Sequence, residues 1–121
     1  MSYWKEKAPW TLEAAKTLVE MLKPIFPSGK LHCVKHYIAI EVDGENRIWI
    51  RKRGNPKSQM NFWFAEKFLP KAVELLDKAE ISSTTTKDQE ILLTMDSKSL
   101  QAHATTIMAL ATIFKASWEE Q

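Results

Sequence analysis

The chain has 121 residues, of which 45% are hydrophobic and 26% are charged, and 17 basic side chains stand against 15 acidic ones. This composition is typical of a folded domain and excludes a disordered tail, so we predict one domain over residues 1–121. A net charge of +2 is too small to identify a nucleic-acid-binding protein. Any basic binding surface must therefore be local.

The compartment is predicted from the cysteine content and from the absence of long apolar segments. Cys33 is the only cysteine, which excludes an intramolecular disulfide and is typical of a reducing compartment. Residues 1–7 carry mixed charge and lack the apolar run of a signal peptide. The longest apolar stretch, residues 104–114, is shorter than the ~20 residues that span a bilayer. We predict a cytoplasmic protein without a membrane helix.

The first predicted elements are a helix and a hairpin. Apolar residues recur three and four positions apart between Leu12 and Leu22, and a proline ends this helical pattern. Apolar and polar residues then alternate over 34–42, and Asp43-Gly44 supplies turn chemistry before the arginine-rich run 47–53. This pattern predicts an antiparallel β-hairpin.

The second half of the chain predicts one more strand beside the hairpin, followed by a helix, a strand and a long final helix. Alternating aromatic residues indicate a strand over 60–65, and Pro70 suits the first turn of the next helix. Residues 82–86 fit either a linker or a strand, residues 90–95 indicate a strand, and the last helix runs to about Trp118. The predicted order is αβββαβα, an α+β fold in which helices cover an antiparallel meander sheet.

The strand 47–53 carries the strongest functional signal. Alternation puts Ile48 and Ile50 on a side that faces a core and leaves three arginines and a tryptophan on the other. Single-stranded nucleic acid is bound by cationic grooves with aromatic rings on which bases stack, so we predict a non-catalytic module for an anionic partner, nucleic acid first and acidic protein second. The predicted binding residues are Arg47, Trp49, Arg51, Arg53, Lys57 and Trp63. The same run also fits a solvated surface on which arginine stems cover the ring.

The final helix carries an apolar stripe with spacings of four and three residues. Its members are Leu100, Ala104, Ile107, Ala111, Phe114 and Trp118. Two interpretations stay open: the helix lies between the sheet and the first helix, or the stripe forms the interface of a homodimer. A homodimeric protein-interaction or assembly module is therefore the alternative function.

Candidate catalytic groups are few, and we predict no metal, cofactor or catalytic residue. His32 and His36 are four positions apart on a predicted strand, which places their rings ~13 Å apart, too far for one zinc ion. His36 is expected at the edge of the core with a hydrogen-bond partner. The acidic residues of the hairpin are explained by the turn itself.

The predicted order αβββαβ resembles the core of the PD-(D/E)xK nucleases, in which carboxylates hold a metal ion and a lysine steadies the attacking water. Glu66 and Lys67 are adjacent here and lack the E-x-K spacing of that site, so no family is assigned. The third interpretation is an enzyme or a degenerate nuclease-like domain. Its ligands would assemble only in three dimensions, from His36, Glu41, Asp43 and Glu66.

Overall fold

The computed structural model describes residues 2–119 and consists of helices packed on one antiparallel sheet. The elements are α1 (Ser2–Lys7), α2 (Pro9–Met21), β1 (Lys30–Cys33), β2 (Ile38–Val42), β3 (Glu45–Lys52), β4 (Ser58–Trp63), a 3₁₀ turn (Glu66–Phe68), α3 (Leu69–Lys78), β5 (Thr84–Thr85), β6 (Glu90–Met95), α4 (Ser97–Ala102) and α5 (Ala104–Glu119). The strand order is β1-β2-β3-β4-β6-β5. The predicted α+β class, antiparallel sheet and long C-terminal helix are confirmed.

The hydrophobic core lies between the helices and one face of the sheet. Four side chains on this covered face are at most 1% exposed, namely Ile48, Ile50, Met60 and Phe62. Phe114 of α5 meets Phe62 edge-on, with 5.4 Å between the ring centroids. Since each fully buried apolar side chain contributes roughly 1.5–3 kcal/mol, this layer is the main source of stability.

The side chains on the opposite face of the sheet lie outside the hydrophobic core that the helices of residues 2–119 form with the sheet, and we call this the uncovered face. The register places Ala39, Trp49, Asn61 and Leu92 in one row across this uncovered face, from β2 to β6. Trp49, Asn61 and Leu92 do not belong to the hydrophobic core, and Ala39 is buried but separate from the core cluster. Ala39 and Asn61 are both cross-strand partners of Trp49, and both are buried beside it. Side chains on this face are therefore held by their neighbours in the sheet.

Both edges of the sheet are short strands that the sequence analysis did not define. β1, over Lys30–Cys33, pairs with β2, and the Val34 N–H donates to the Tyr37 carbonyl at 3.0 Å in the turn between them. The predicted strand over 34–42 therefore begins only at Ile38. At the other edge Thr84–Thr85 pairs with β6, so the alternatives for residues 82–86 resolve to a two-residue strand.

The predicted final helix is divided into α4 and α5. α4 begins after Asp96, whose Oδ1 accepts a hydrogen bond from the Ser99 N–H at 2.6 Å, and it ends at Ala102. α4 packs against α2 whereas α5 packs against α3, so the two helices on either side of His103 have different partners. None of the helices that the structure describes is long and apolar enough to cross a membrane.

The apolar stripe of the final helix faces the core of its own chain. Four residues of the stripe are at most 1% exposed: Leu100, Ile107, Ala111 and Phe114. The other two, Ala104 and Trp118, are half-buried. The four buried residues have no surface left for a second copy to contact. α5 packs on the sheet beside α3. A homodimer stays a prediction, and its interface would have to consist of side chains other than these four.

Candidate binding surface on the uncovered sheet face

The predicted alternation along β3 is present in the structure. Ile48 and Ile50 are fully buried on the covered face, whereas Trp49 and Arg51 are half-buried outside the core. Both therefore lie on the uncovered face, in the middle of a six-stranded sheet over the described residues. A central strand fixes its side chains firmly because hydrogen bonds hold it on both edges.

A β-bulge changes the position of Arg47. Ile40 pairs with Ile48 while Glu41 pairs with Asn46, so Arg47 is an extra residue on β3. Its guanidinium carbon lies 4.1 Å from the centroid of the Trp118 ring. Its Nη2 also donates to the Glu45 carboxylate. Arg47 is thus positioned at the end of the sheet by α5, a contact that simple alternation does not predict.

Aromatic rings surround a cavity beside Arg47. The cavity has a volume of about 200 Å³. Its lining residues are Asn46, Arg47, Trp49, Trp63, Phe114 and Trp118. The structure therefore brings together the predicted pair Trp49 and Trp63, and it adds Trp118, which the sequence analysis placed in a dimer interface. Trp118 comes from the opposite end of the chain, and its apolar spacing gave no signal for this contact.

Buried polar atoms without a hydrogen-bond partner concentrate at and near this cavity. Within the described residues they are Arg47 Nε, Trp118 Nε1 and Asn61 Oδ1. Arg47 and Trp118 line the cavity, and Asn61 pairs with Trp49 across the strands. A buried polar group left unpaired costs about 1–3 kcal/mol, so native structures contain few of them. Their proximity marks this region as a candidate for a bound ligand.

The other end of the uncovered face is basic. The Arg51 guanidinium carbon lies 5.7 Å from the centroid of the Tyr37 ring. Gln59 pairs with Arg51 across the strands, and its side-chain oxygen accepts a hydrogen bond from Arg53 Nη2 at 2.7 Å. Arg53 therefore leans toward the same face although it follows the end of β3. The two guanidinium groups can contact successive phosphates or carboxylates.

The loop between β3 and β4 is anchored to α2. The indole N–H of Trp10 donates to the carbonyls of Arg53 and Lys57, at 3.2 and 3.0 Å. The Lys57 side chain lines a different cavity, which also contains Asp96 and His103. The structure therefore places Lys57 apart from the tryptophans with which it was grouped. The pKa of Asp96 is lowered, chiefly by the hydrogen bond from Ser99 and to a lesser extent by the charge of Lys57.

The residues of the enzyme interpretation do not assemble into a metal site. His36 is exposed in the turn before β2, which corrects the expectation that it lies at the core edge. Glu41 is 3.3 Å from Lys30 Nζ, and the Ser28 hydroxyl donates to Asp43 at 2.8 Å. Glu66 begins the exposed 3₁₀ turn. Among residues 2–119, no group of three His, Cys, Asp or Glu side chains is arranged to hold a metal ion.

The uncovered face thus has a cationic end, and its other end opens on an aromatic cavity that it shares with Phe114 and Trp118 of α5 and that contains unpaired buried polar atoms. Comparison with known family models and with curated proteins gives no match for this sequence.

Proposed function

We propose that the uncovered face of the sheet binds single-stranded nucleic acid and that the chain is a binding module without catalytic activity. The observation that supports the proposal is the position of Trp49, outside the core and in line with Arg51 on a central strand. Bases stack on such rings whatever their sequence, and each stacked base contributes about 1–3 kcal/mol. The phosphates would contact the cations beside the rings.

The spacing of the two tryptophans supports stacking of more than one base. Asn61 is the direct cross-strand partner of Trp49, so Trp63, two residues further along β4, is its diagonal neighbour. Diagonal neighbours in a sheet are roughly 7–8 Å apart, which is within reach of large aromatic side chains. One strand of nucleic acid could therefore contact both rings and continue toward Arg51 and Arg53.

Charge favours an anionic ligand at one end of the face more than at the other. Arg51 and Arg53 have no acidic partner among the ion pairs of the described residues. Arg47 is paired with Glu45, and Glu90 lies opposite Trp63. We expect the phosphates to contact the Arg51 end and the bases to occupy the end that contains the aromatic cavity.

Two further predictions from the sequence belong to this proposal. The single cysteine favours a reducing compartment, and we propose a cytoplasmic location. We also retain the homodimer as the alternative, in which the protein is an assembly module. Sedimentation equilibrium at micromolar concentration measures the mass directly, and a monomeric mass removes the dimer.

The proposal is tested by tryptophan fluorescence, since Trp49 and Trp63 are the reporters. An oligodeoxythymidine of about ten nucleotides is titrated into the protein at several salt concentrations, because sites of this kind span roughly 4–16 nucleotides. We expect saturable quenching and an affinity that falls as salt rises. Trp49→Phe should remove part of the quenching. No quenching by any oligonucleotide at low salt would rule the function out.

A further inference from the structure

We infer that the cavity lined by Arg47, Trp49, Trp63 and Trp118 holds one guanine base of the bound strand. The inference rests on the proposed function and adds a preference for one base to it. Two of its side chains carry buried nitrogen atoms that have no partner in the described chain, Arg47 Nε and Trp118 Nε1.

Both nitrogens are donors only. An arginine guanidinium and a tryptophan indole have N–H groups to give and no lone pair with which to accept. The occupant of the cavity must therefore supply hydrogen-bond acceptors. The aromatic walls require in addition that it be flat, because rings attract a stacked ring more than an aliphatic chain.

Guanine is the base that satisfies both requirements with the largest flat ring system. On one edge it presents two neighbouring acceptors, O6 and N7, and arginine contacts to this pair are the commonest base-specific contact in nucleic-acid recognition. Adenine places an amino donor beside N7, which would face another donor. Thymine offers one acceptor and a methyl group on the corresponding edge. An unpaired cytosine has two neighbouring acceptors, O2 and N3, on its pairing edge, but its single ring stacks over a smaller area than the two rings of guanine.

The volume of the cavity suits a ligand of the size of a single base, smaller than a drug-sized molecule. Its volume of about 200 Å³ is smaller than the ~300–1,000 Å³ of cavities for drug-sized ligands. The two nitrogens are covered in the structure, so the base reaches them when the Arg47 guanidinium moves off the Trp118 ring. The Arg47 side chain is 29% exposed, which leaves it room to move. Unstacked bases commonly stack on aromatic rings and arginine planes in this manner.

The experiment compares labelled oligodeoxythymidines of about ten nucleotides whose central position is dG, dA, dC or dT, with affinity measured by fluorescence anisotropy. We expect the dG strand to bind about tenfold more tightly than the other three, as one well-formed bidentate contact gives. Trp118→Phe keeps an aromatic side chain and removes the N–H, so it should reduce the ratio of the affinity for the dG strand to the affinity for the dT strand. Arg47→Lys, which keeps the charge and loses the planar fork, should do the same.

Three other outcomes would overturn the inference, and they have different consequences for the proposed function. Equal affinity for all four strands refutes the guanine cavity and leaves the proposed function intact. Failure of every strand to bind refutes both. Free guanosine 5′-monophosphate is tested alongside, and affinity equal to that of the dG strand would show a mononucleotide site instead of a strand-binding one. Thermal melting of both variants confirms that each is folded.

Discussion

Arg51 provides the sharpest test of the basic end of the uncovered face. Its guanidinium carbon lies 5.7 Å from the centroid of the Tyr37 ring, and such contacts at accessible sites contribute about 0.5–1 kcal/mol. Arg51→Gln should therefore lower the free energy of unfolding by less than about 1 kcal/mol. A larger loss, measured by urea denaturation, would show that the side chain is structural.

The effect of Arg51→Gln on binding follows from the number of cations on the face. Each neutralised phosphate of a single strand contributes about −0.7 to the slope of log affinity against log salt. With Arg51 and Arg53 each neutralising one phosphate, the slope should be about −1.4, and it should change to about −0.7 in the variant. Anisotropy titrations between about 50 and 200 mM salt measure both slopes.

The matched control removes a charge from the helical side of the molecule. Lys71 is exposed on α3, which packs with α5 over the covered face. Lys71→Gln should leave the slope at the wild-type value. An unchanged slope in Arg51→Gln, or an equal change in both variants, would refute the assignment of phosphate contacts to this face.

Three further perturbations test other parts of the structure. Trp49→Ala should weaken binding of a single strand by about 1–3 kcal/mol in the same anisotropy assay, through loss of one stacked base. Phe114→Ala should destabilise the fold by about 3–5 kcal/mol in urea, because this ring is fully buried among the rings of the core. The pKa of Asp96 is lower in the folded chain than its usual value of 3.8, so its stabilising contribution is present above that value and is lost as the pH falls through the folded pKa. Asp96→Asn should lack this acid-dependent loss in thermal unfolding measured from about pH 6 to pH 2.

Local patterns along the sequence predict the features that depend on neighbours in one strand. Period-two alternation is sufficient to place Ile48 in the core and Trp49 opposite it, because a side-chain period of two leaves only two faces. Trp63 follows by the same reasoning on the next strand. The class of the fold and the position of the central strands could therefore be predicted from these residues.

Features that depend on distant contacts could not be predicted in this way. The contact between Arg47 and Trp118 joins residues from opposite halves of the chain and requires a bulge whose position depends on pairing with β2. The separation of Lys57 from the tryptophans depends on the loop, which the Trp10 indole anchors to α2. The division at His103 separates two helices that pack against different partners. No pattern of spacing within one element contains this information.

The short strands at the two edges of the sheet have a consequence for solubility. An edge strand exposes unpaired N–H and C=O groups that can pair with another molecule and begin an aggregate. Here one edge offers only two residues, Thr84–Thr85, and the other offers four, starting with the charged Lys30. Neither edge is long enough to template extended pairing. The protein can thus leave one face of its sheet outside the hydrophobic core while its strand edges resist uncontrolled polymerisation.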